Sequence, residues 1–179
     1  MNRGNKKAEY TKNQLHTALL DMMERTAYDE ISVKDICERA GISRAAFYRN
    51  YEDKQALTKA VIEASLIRPL REELKERGVE NWYSHYDGAV AELWNRQKDL
   101  IRLLWQQQLF GYLVLQLTSA IREAMPEGAL YDYRASHLAF AAASFLSVWA
   151  MHGCRENEGE LSAIICQLRD MASREENRI

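Results

Sequence analysis

Ser43, Arg44, Ala45, Ala46, Tyr48, Arg49 and Asn50 fall within eight consecutive positions, and Lys54 stands four further on. Side chains of these types can hold and read a nucleic-acid duplex. Arg44 can pair bidentately with a guanine, and the small Ala45 and Ala46 allow close approach and contact with a thymine methyl. Tyr48 carries a hydroxyl on a rigid arm to a phosphate, and Arg49 and Asn50 add donors beside it. Lys54, with the first amides of a following helix, offers a second phosphate site, and Ser32 at an earlier helix start a third. Each has a plainer reading, with Tyr48 an aromatic clamp between helices and the two alanines helix filler.

Other chemistries lack their residues. His16, His85, His137 and His152 form no HExxH and have no close carboxylate pairing suited to a metal, so no metal site is expected. No GxSxG, Walker loop, GxGxxG or Cys-His nucleophile arrangement is present, so no catalytic residues and no cofactor are expected. Cys37, Cys154 and Cys166 are odd in number and none belongs to a CxxC pair, which favours a reducing, cytoplasmic setting over a disulfide framework. The start, Met1 to Lys7, has no apolar core of signal-peptide type, and no apolar run approaches a membrane span, so no membrane partner is expected. A net charge of -2 argues against binding nucleic acid only if charge is spread evenly, and residues 1–60 hold 11 Lys/Arg against 9 Asp/Glu. Arg3, Lys6, Lys7 and Lys12 face only Glu9 in the first twelve residues, although a solvated basic tail reads the same way.

The elements that position these groups are helices. Gly (8) and Pro (2) are scarce in 179 residues, which excludes the turn density of an all-β fold. Thr11-x-x-Gln14 reads as a capping box, and Leu15, Ala18, Leu19 and Met22 follow at helical spacing, predicting a first helix over about 12–25. Ser32 and Asp35 open a second helix, whose buried side is Val33, Ile36, Cys37 and Ala40. Gly41 ends it with a left-handed residue, Ile42 plugs the turn, and Ser43 caps a short third helix that carries Phe47 inward. Two short helices three residues apart make a helix-turn-helix, whose second member lies in the major groove when it binds DNA. Asp53 caps a longer helix running towards Pro69, which should kink or break it.

The stretch from Ile31 to Leu57 resembles the DNA-binding segment of the TetR (tetracycline-repressor) family. Ile36, Ala40-Gly41-Ile42-Ser43, Phe47-Tyr48, Tyr51, Lys54 and Leu57 stand where that family's motif has matching residues. The resemblance implies three N-terminal helices, a connecting fourth, and a divergent helical C-terminal domain that dimerises through its last two helices and often encloses an inducer. It also implies DNA contacts at Ser32, Ser43, Arg44, Ala45, Tyr48, Asn50 and Lys54. Two departures stand out: Ala27 replaces a frequent Gly, and Asn50 a frequent His or Tyr. Trp149 and Gly153 resemble a Trp-x3-Gly turn between the dimerising helices of one branch.

Beyond Gly78 aromatic residues become dense, and helices are predicted over about 81–97, 99–106, 108–125, 131–153 and 159–175. Trp82, Tyr86, Trp105, Phe110 and Tyr112 suit the wall of a small-molecule pocket, though their spacing fits ordinary core equally well. Ala141 and Ala142 permit close helix approach, while Phe145, Val148, Trp149, Leu161 and Leu168 supply anchors, together a candidate dimer interface. The expected protein is therefore all-α, with about nine helices: a helix-turn-helix domain over 1–55 and a sensing and dimerisation bundle over 56–179. As a homodimer it would place two recognition helices on the order of 34–36 Å apart on a palindromic double-stranded DNA operator. A repressor released by an unidentified inducer is the first reading. An activator or partner-controlled regulator of the same fold, and a small helical enzyme or carrier, are the alternatives.

Overall fold

The computed structural model describes residues 3–78 and 86–176, and all regular structure among them is helical. α1 (Arg3–Met23), α2 (Val33–Ala40) and α3 (Arg44–Tyr48) form the front unit, with a 3-10 turn at Tyr28–Glu30 between the first two. α4 (Lys54–Ile62) continues through a π-helical turn (Glu63–Ile67) into α5 (Arg68–Arg77). The rear holds α6 (Tyr86–Arg96), α7 (Lys98–Gln106), α8 (Phe110–Glu123), α9 (Ala129–Met151) and α10 (Glu158–Glu176). Taken with α4 to α5 as one rod, the described residues give the nine helices expected.

α1 begins nine residues before its predicted start. Thr11 caps nothing: its hydroxyl donates to the Lys7 carbonyl one turn back (2.9 Å), the bond a threonine makes inside a helix. Pro69 does not break the α4 rod either. A proline at that position cannot donate to the carbonyl four residues back, and its ring crowds that carbonyl. The chain relieves this by widening just ahead of it, the Arg68 amide reaching the Glu63 carbonyl, so that Pro69 falls in the first turn of α5, where no donor is required. Arg71 of α5 secures the widened turn, donating to Glu63 and, from Nε at 2.9 Å, to Glu123 at the end of α8.

One continuous apolar core runs through both ends. Leu15 and Leu19 of α1, Ile36 of α2 and Phe47 of α3 meet Leu57 and Ile62 of α4, all essentially without solvent contact. The core continues through Ile67 to Leu113 and Ile121 of α8 and Leu146 of α9. α8 packs on α9 and on the α4 rod, and α10 lies against α6.

Candidate nucleic-acid interface

The short third helix is held from behind and presented from the front. Phe47 is fully buried and meets the Tyr48 ring edge-on, with centroids 5.4 Å apart, and the Tyr51 ring at 5.9 Å. Tyr51 in turn shares a hydrogen bond with His16 of α1 (2.8 Å), which ties the end of the recognition unit to the first helix. Burial pushes the Tyr51 hydroxyl up to about 12 and, with Lys12 and Arg68 nearby, lowers the His16 imidazole, so the contact joins two neutral groups at neutral pH.

Local caps set the direction of each helix. Ser32 and Asp35 form the full capping box of α2, the Asp35 amide donating to the Ser32 hydroxyl and the Ser32 amide to the Asp35 carboxylate (3.0 Å). Gly41 has φ +65°, and the Ile42 amide reaches back to the Cys37 carbonyl (3.0 Å), closing the turn the sequence predicts. Ser43 accepts from the Ala46 amide at 3.2 Å. Arg44, Ala45, Tyr48 and Arg49 are left exposed on the outer side, with Ala46 half-buried beneath them and Tyr48 51% accessible. That face is cationic and small at its start, aromatic and cationic at its end, as groove reading and phosphate holding require.

Two expected contacts are modified. Lys54 is turned into the fold: its ammonium donates to the Ile31 carbonyl (2.7 Å) and the Tyr28 carbonyl, and sits 4.1 Å from the centroid of the Tyr28 ring. Burial lowers its affinity for a proton. A lysine that satisfies two carbonyls and an aromatic face holds a loop together, which leaves one of its three donors for a phosphate. Asn50 donates from its amide to the Ala46 carbonyl (2.7 Å), so one of its two donors serves the end of α3. Ala27 has φ −58° and ψ 137°, a backbone open to any residue, so the glycine common in the family is not needed here.

Several further residues contribute. Lys34 extends from α2, and with Arg44, Cys37 and Ile42 it walls an open concavity of about 420 Å3 beside the helix-turn-helix. Lys34 pairs only loosely with Glu38 (3.7 Å), adding an exposed cation next to Arg44. Tyr28 and Thr58 share a buried hydrogen bond of 2.9 Å, and Gln107 of the rear bonds to the loop before α2. Lys34 was visible as a solvent-side position of α2, whereas the other three meet only through the tertiary fold.

In the rear, Trp82 lies outside the described residues, and Tyr86 begins α6. Trp105 is at the surface, 39% accessible, with its ring edge-on to Phe110 at 5.5 Å. Tyr112 is half-buried, and the Lys59 ammonium of α4 lies 5.4 Å from its ring centroid. The structure thus brings Trp105 and Phe110 together and turns Tyr112 towards α4. The dimer candidates are brought together more fully. Ala141, Phe145, Val148, Trp149, Leu161 and Leu168 wall one open groove of about 420 Å3 between α9 and α10, while Ala142 lies buried on the inner side of α9. The Trp149 indole N–H and one Glu156 carboxylate oxygen are buried there without a hydrogen-bond partner among the described residues. No group of three or more His, Cys, Asp or Glu among them could hold a metal ion, and no helix is long and apolar enough to cross a membrane.

Comparison with known proteins bears on this geometry. Residues 16–61 match the family model of bacterial regulatory proteins, tetR family. A curated relative, the uncharacterized HTH-type transcriptional regulator YvkB of Bacillus subtilis (strain 168), is 23% identical over 124 residues, or 69% of this chain. That match spans 65% of the relative's own length. Among solved structures, the dihydroxyacetone kinase operon activator DhaS superposes with a TM-score of 0.58 at 15% identity, covering 92% of this chain and 95% of that one. A TetR transcriptional regulator from Streptococcus agalactiae 2603V gives 0.58 at 18% identity, covering 92% and 96%. Those two likenesses establish the fold, and the family model matches the capped helices themselves: over residues 16–61 the helix-turn-helix is that of the tetR family's model.

Proposed function

We propose that the protein is a sequence-specific, DNA-binding transcriptional regulator, acting in the cytoplasm as a homodimer on a palindromic operator. The observation that carries this is the outward face of α3, where Arg44, Ala45, Tyr48 and Arg49 are exposed on a helix whose other side is locked by Phe47. Ser43, Arg44, Ala45 and Ala46 approach the base edges. Ser32, Tyr48, Arg49 and Asn50 hold phosphate, joined by Lys34. Residues 1–55 form the reading domain and 56–179 the sensing and dimerisation domain.

A second copy is the occupant we assign to the α9–α10 groove. One five-residue helix contacts few base pairs, so useful specificity needs two of them related by a two-fold axis. Val148, Ile164 and Leu168 expose 46%, 37% and 52% of their surface in or beside that groove. Regulation is read as repression, relieved by a small molecule bound near Trp105 and Phe110. A second reading, activation, is favoured by the likeness in fold to a protein named as an operon activator.

The test is selection of bound sequences from random duplex DNA, followed by the salt dependence of binding to the winner and the mass of the free protein in solution. Enrichment of a palindrome, a steep loss of affinity with salt and a dimer mass are expected. Absence of any enriched site with folded, dimeric protein would overturn the reading in favour of a helical enzyme or carrier.

A further inference from the structure

We propose that Gln107, in the rear unit, is a positioning residue for DNA recognition: it fixes the corner between α1 and α2 and thereby the attitude of the recognition helix. The proposal rests on the DNA-binding reading above. α1 ends at Met23 with no left-handed residue in the following corner: the Arg25 and Thr26 amides turn back to the Met22 carbonyl (3.0 and 2.9 Å) and leave the next carbonyl, that of Met23, to a side-chain donor. Gln107 supplies one from a distant part of the chain. Its Nε2 donates to the Met23 carbonyl (2.5 Å) and the Thr26 carbonyl (3.2 Å), while its Oε1 accepts from the Tyr28 amide (2.7 Å). One amide thus spans the corner from the end of α1 to the 3-10 turn, using both its donor and its acceptor ends.

Gln107 is itself held firmly. It stands at the reversal between α7 and α8, where Gln108 adopts φ +58° and the Leu109 amide returns to the Leu104 carbonyl at 2.8 Å. Leu104 and Leu109 are both buried. The corner has a second anchorage on α4, through Lys54 to the Tyr28 and Ile31 carbonyls and Thr58 to the Tyr28 hydroxyl. Tyr28 is therefore gripped at its amide by the rear unit, and at its carbonyl, ring and hydroxyl by α4. The segment it belongs to ends at Ser32, the cap of α2, so displacement of Gln107 is passed to α2 and to the turn that carries α3.

The experiment compares full-length Gln107→Leu and Gln107→Glu with the parent, using the selected duplex and amide hydrogen exchange over residues 23–50. Leucine removes all three bonds at similar size, whereas glutamate keeps the acceptor for the Tyr28 amide and loses both donors. With helix content and association state unchanged, Gln107→Leu should bind DNA roughly 2- to 30-fold more weakly, as expected of a residue that couples without touching the ligand. The salt slope and base preference should stay as in the parent, and exchange should quicken at Tyr28 and through α2. Gln107→Glu should retain part of the protection at Tyr28 and part of the affinity. Leu138→Ala, a rear-core change, serves as the control that lowers stability without lowering affinity.

Parental affinity in Gln107→Leu, or an equal loss in Leu138→Ala, would overturn the proposal. If the parent itself selects no duplex, the DNA-binding reading fails separately. Exchange then decides the mechanical link, and unchanged protection across α2 in both Gln107 variants would refute it. Should Gln107→Leu not fold, Gln107→Glu takes its place: weaker binding with faster exchange at α2 supports the link, and parental values for both overturn it.

Discussion

In the front unit the helices are told where to begin by side chains beside them: Ser32 for α2, Ser43 for α3 and Asp53 for α4 each accept from a backbone amide of the first turn. In the rear, α10 has such a cap too, Asn157 accepting from the Glu160 amide at 3.2 Å, but α7, α8 and α9 start without any side-chain cap, at Gln97, Leu109 and Gly128. Their positions come instead from packing, with Leu104, Leu113, Ile121 and Leu146 almost wholly buried. Polar groups follow the same division. Tyr28, Lys54 and Thr58 at the front have partners for their buried polar atoms, whereas Gln116, Trp149 and Glu156 in the rear each leave one without a partner among the described residues. A cap is set by residues within one turn, while a packing rule needs the whole bundle.

Breaking the front from within should have the largest effect. Phe47→Ala empties the centre of the unit and should cost about 3–5 kcal/mol of folding stability, measured by denaturant midpoint, with DNA binding lost alongside. Lys54→Met should cost about 1–3 kcal/mol by stranding the Tyr28 and Ile31 carbonyls, and the salt slope of the remaining DNA binding should not change. A slope reduced by about one would place Lys54 among the phosphate contacts. Arg44→Ala should leave thermal stability alone and cost about 1–3 kcal/mol of binding at one base position, read by repeating the sequence selection. Unchanged preference would remove Arg44 from base readout.

The smallest effect tests the local rule itself. Ser32→Ala should cost about 1 kcal/mol of stability. Hydrogen bonds from the Ser32 hydroxyl and amide hold the Asp35 carboxyl below the usual carboxylate range. A depressed folded-state value stabilises the protein above the ordinary carboxylate range, and this is lost as pH falls through the folded-state value. The gap in melting temperature between parent and Ser32→Ala should therefore be widest near neutrality and close in acid. A gap independent of pH would show that the bond from the Ser32 hydroxyl to the Asp35 carboxylate contributes nothing.

The same division explains what could be read from the residues. The α2 cap, the left-handed Gly41, the Ser43 cap and inward Phe47 all follow from interactions within a few positions, and each is found in the structure. The rear boundaries that can be compared came within about two residues, because apolar density marks where helices pack. The parts not legible have separate causes. Thr11 looked like a cap because hydroxyl residues serve both ends and interiors of helices, and only the length of α1 distinguishes the two. Lys54 read as a phosphate clamp because its sequence surroundings are those of an exposed first turn, while its partners lie 23 and 26 residues away. In Gln106-Gln107-Gln108 nothing local says which amide reaches the front, and the aromatics of the rear have the same spacing whether they line a pocket or fill a core.

Gln107 also has a consequence for how the protein is made. It lies 79 residues after Tyr28, so every nascent chain exposes its reading helices well before the side chain that closes their corner has been synthesised. At translation speeds of about 5–20 residues per second the delay is about 4–16 s, long compared with the formation of a helix. During that interval the corner has its anchorage on α4, through Lys54 and Thr58, but not the Gln107 bridge. On the role proposed for Gln107, a chain released early carries the full recognition sequence without the bridge that sets its corner.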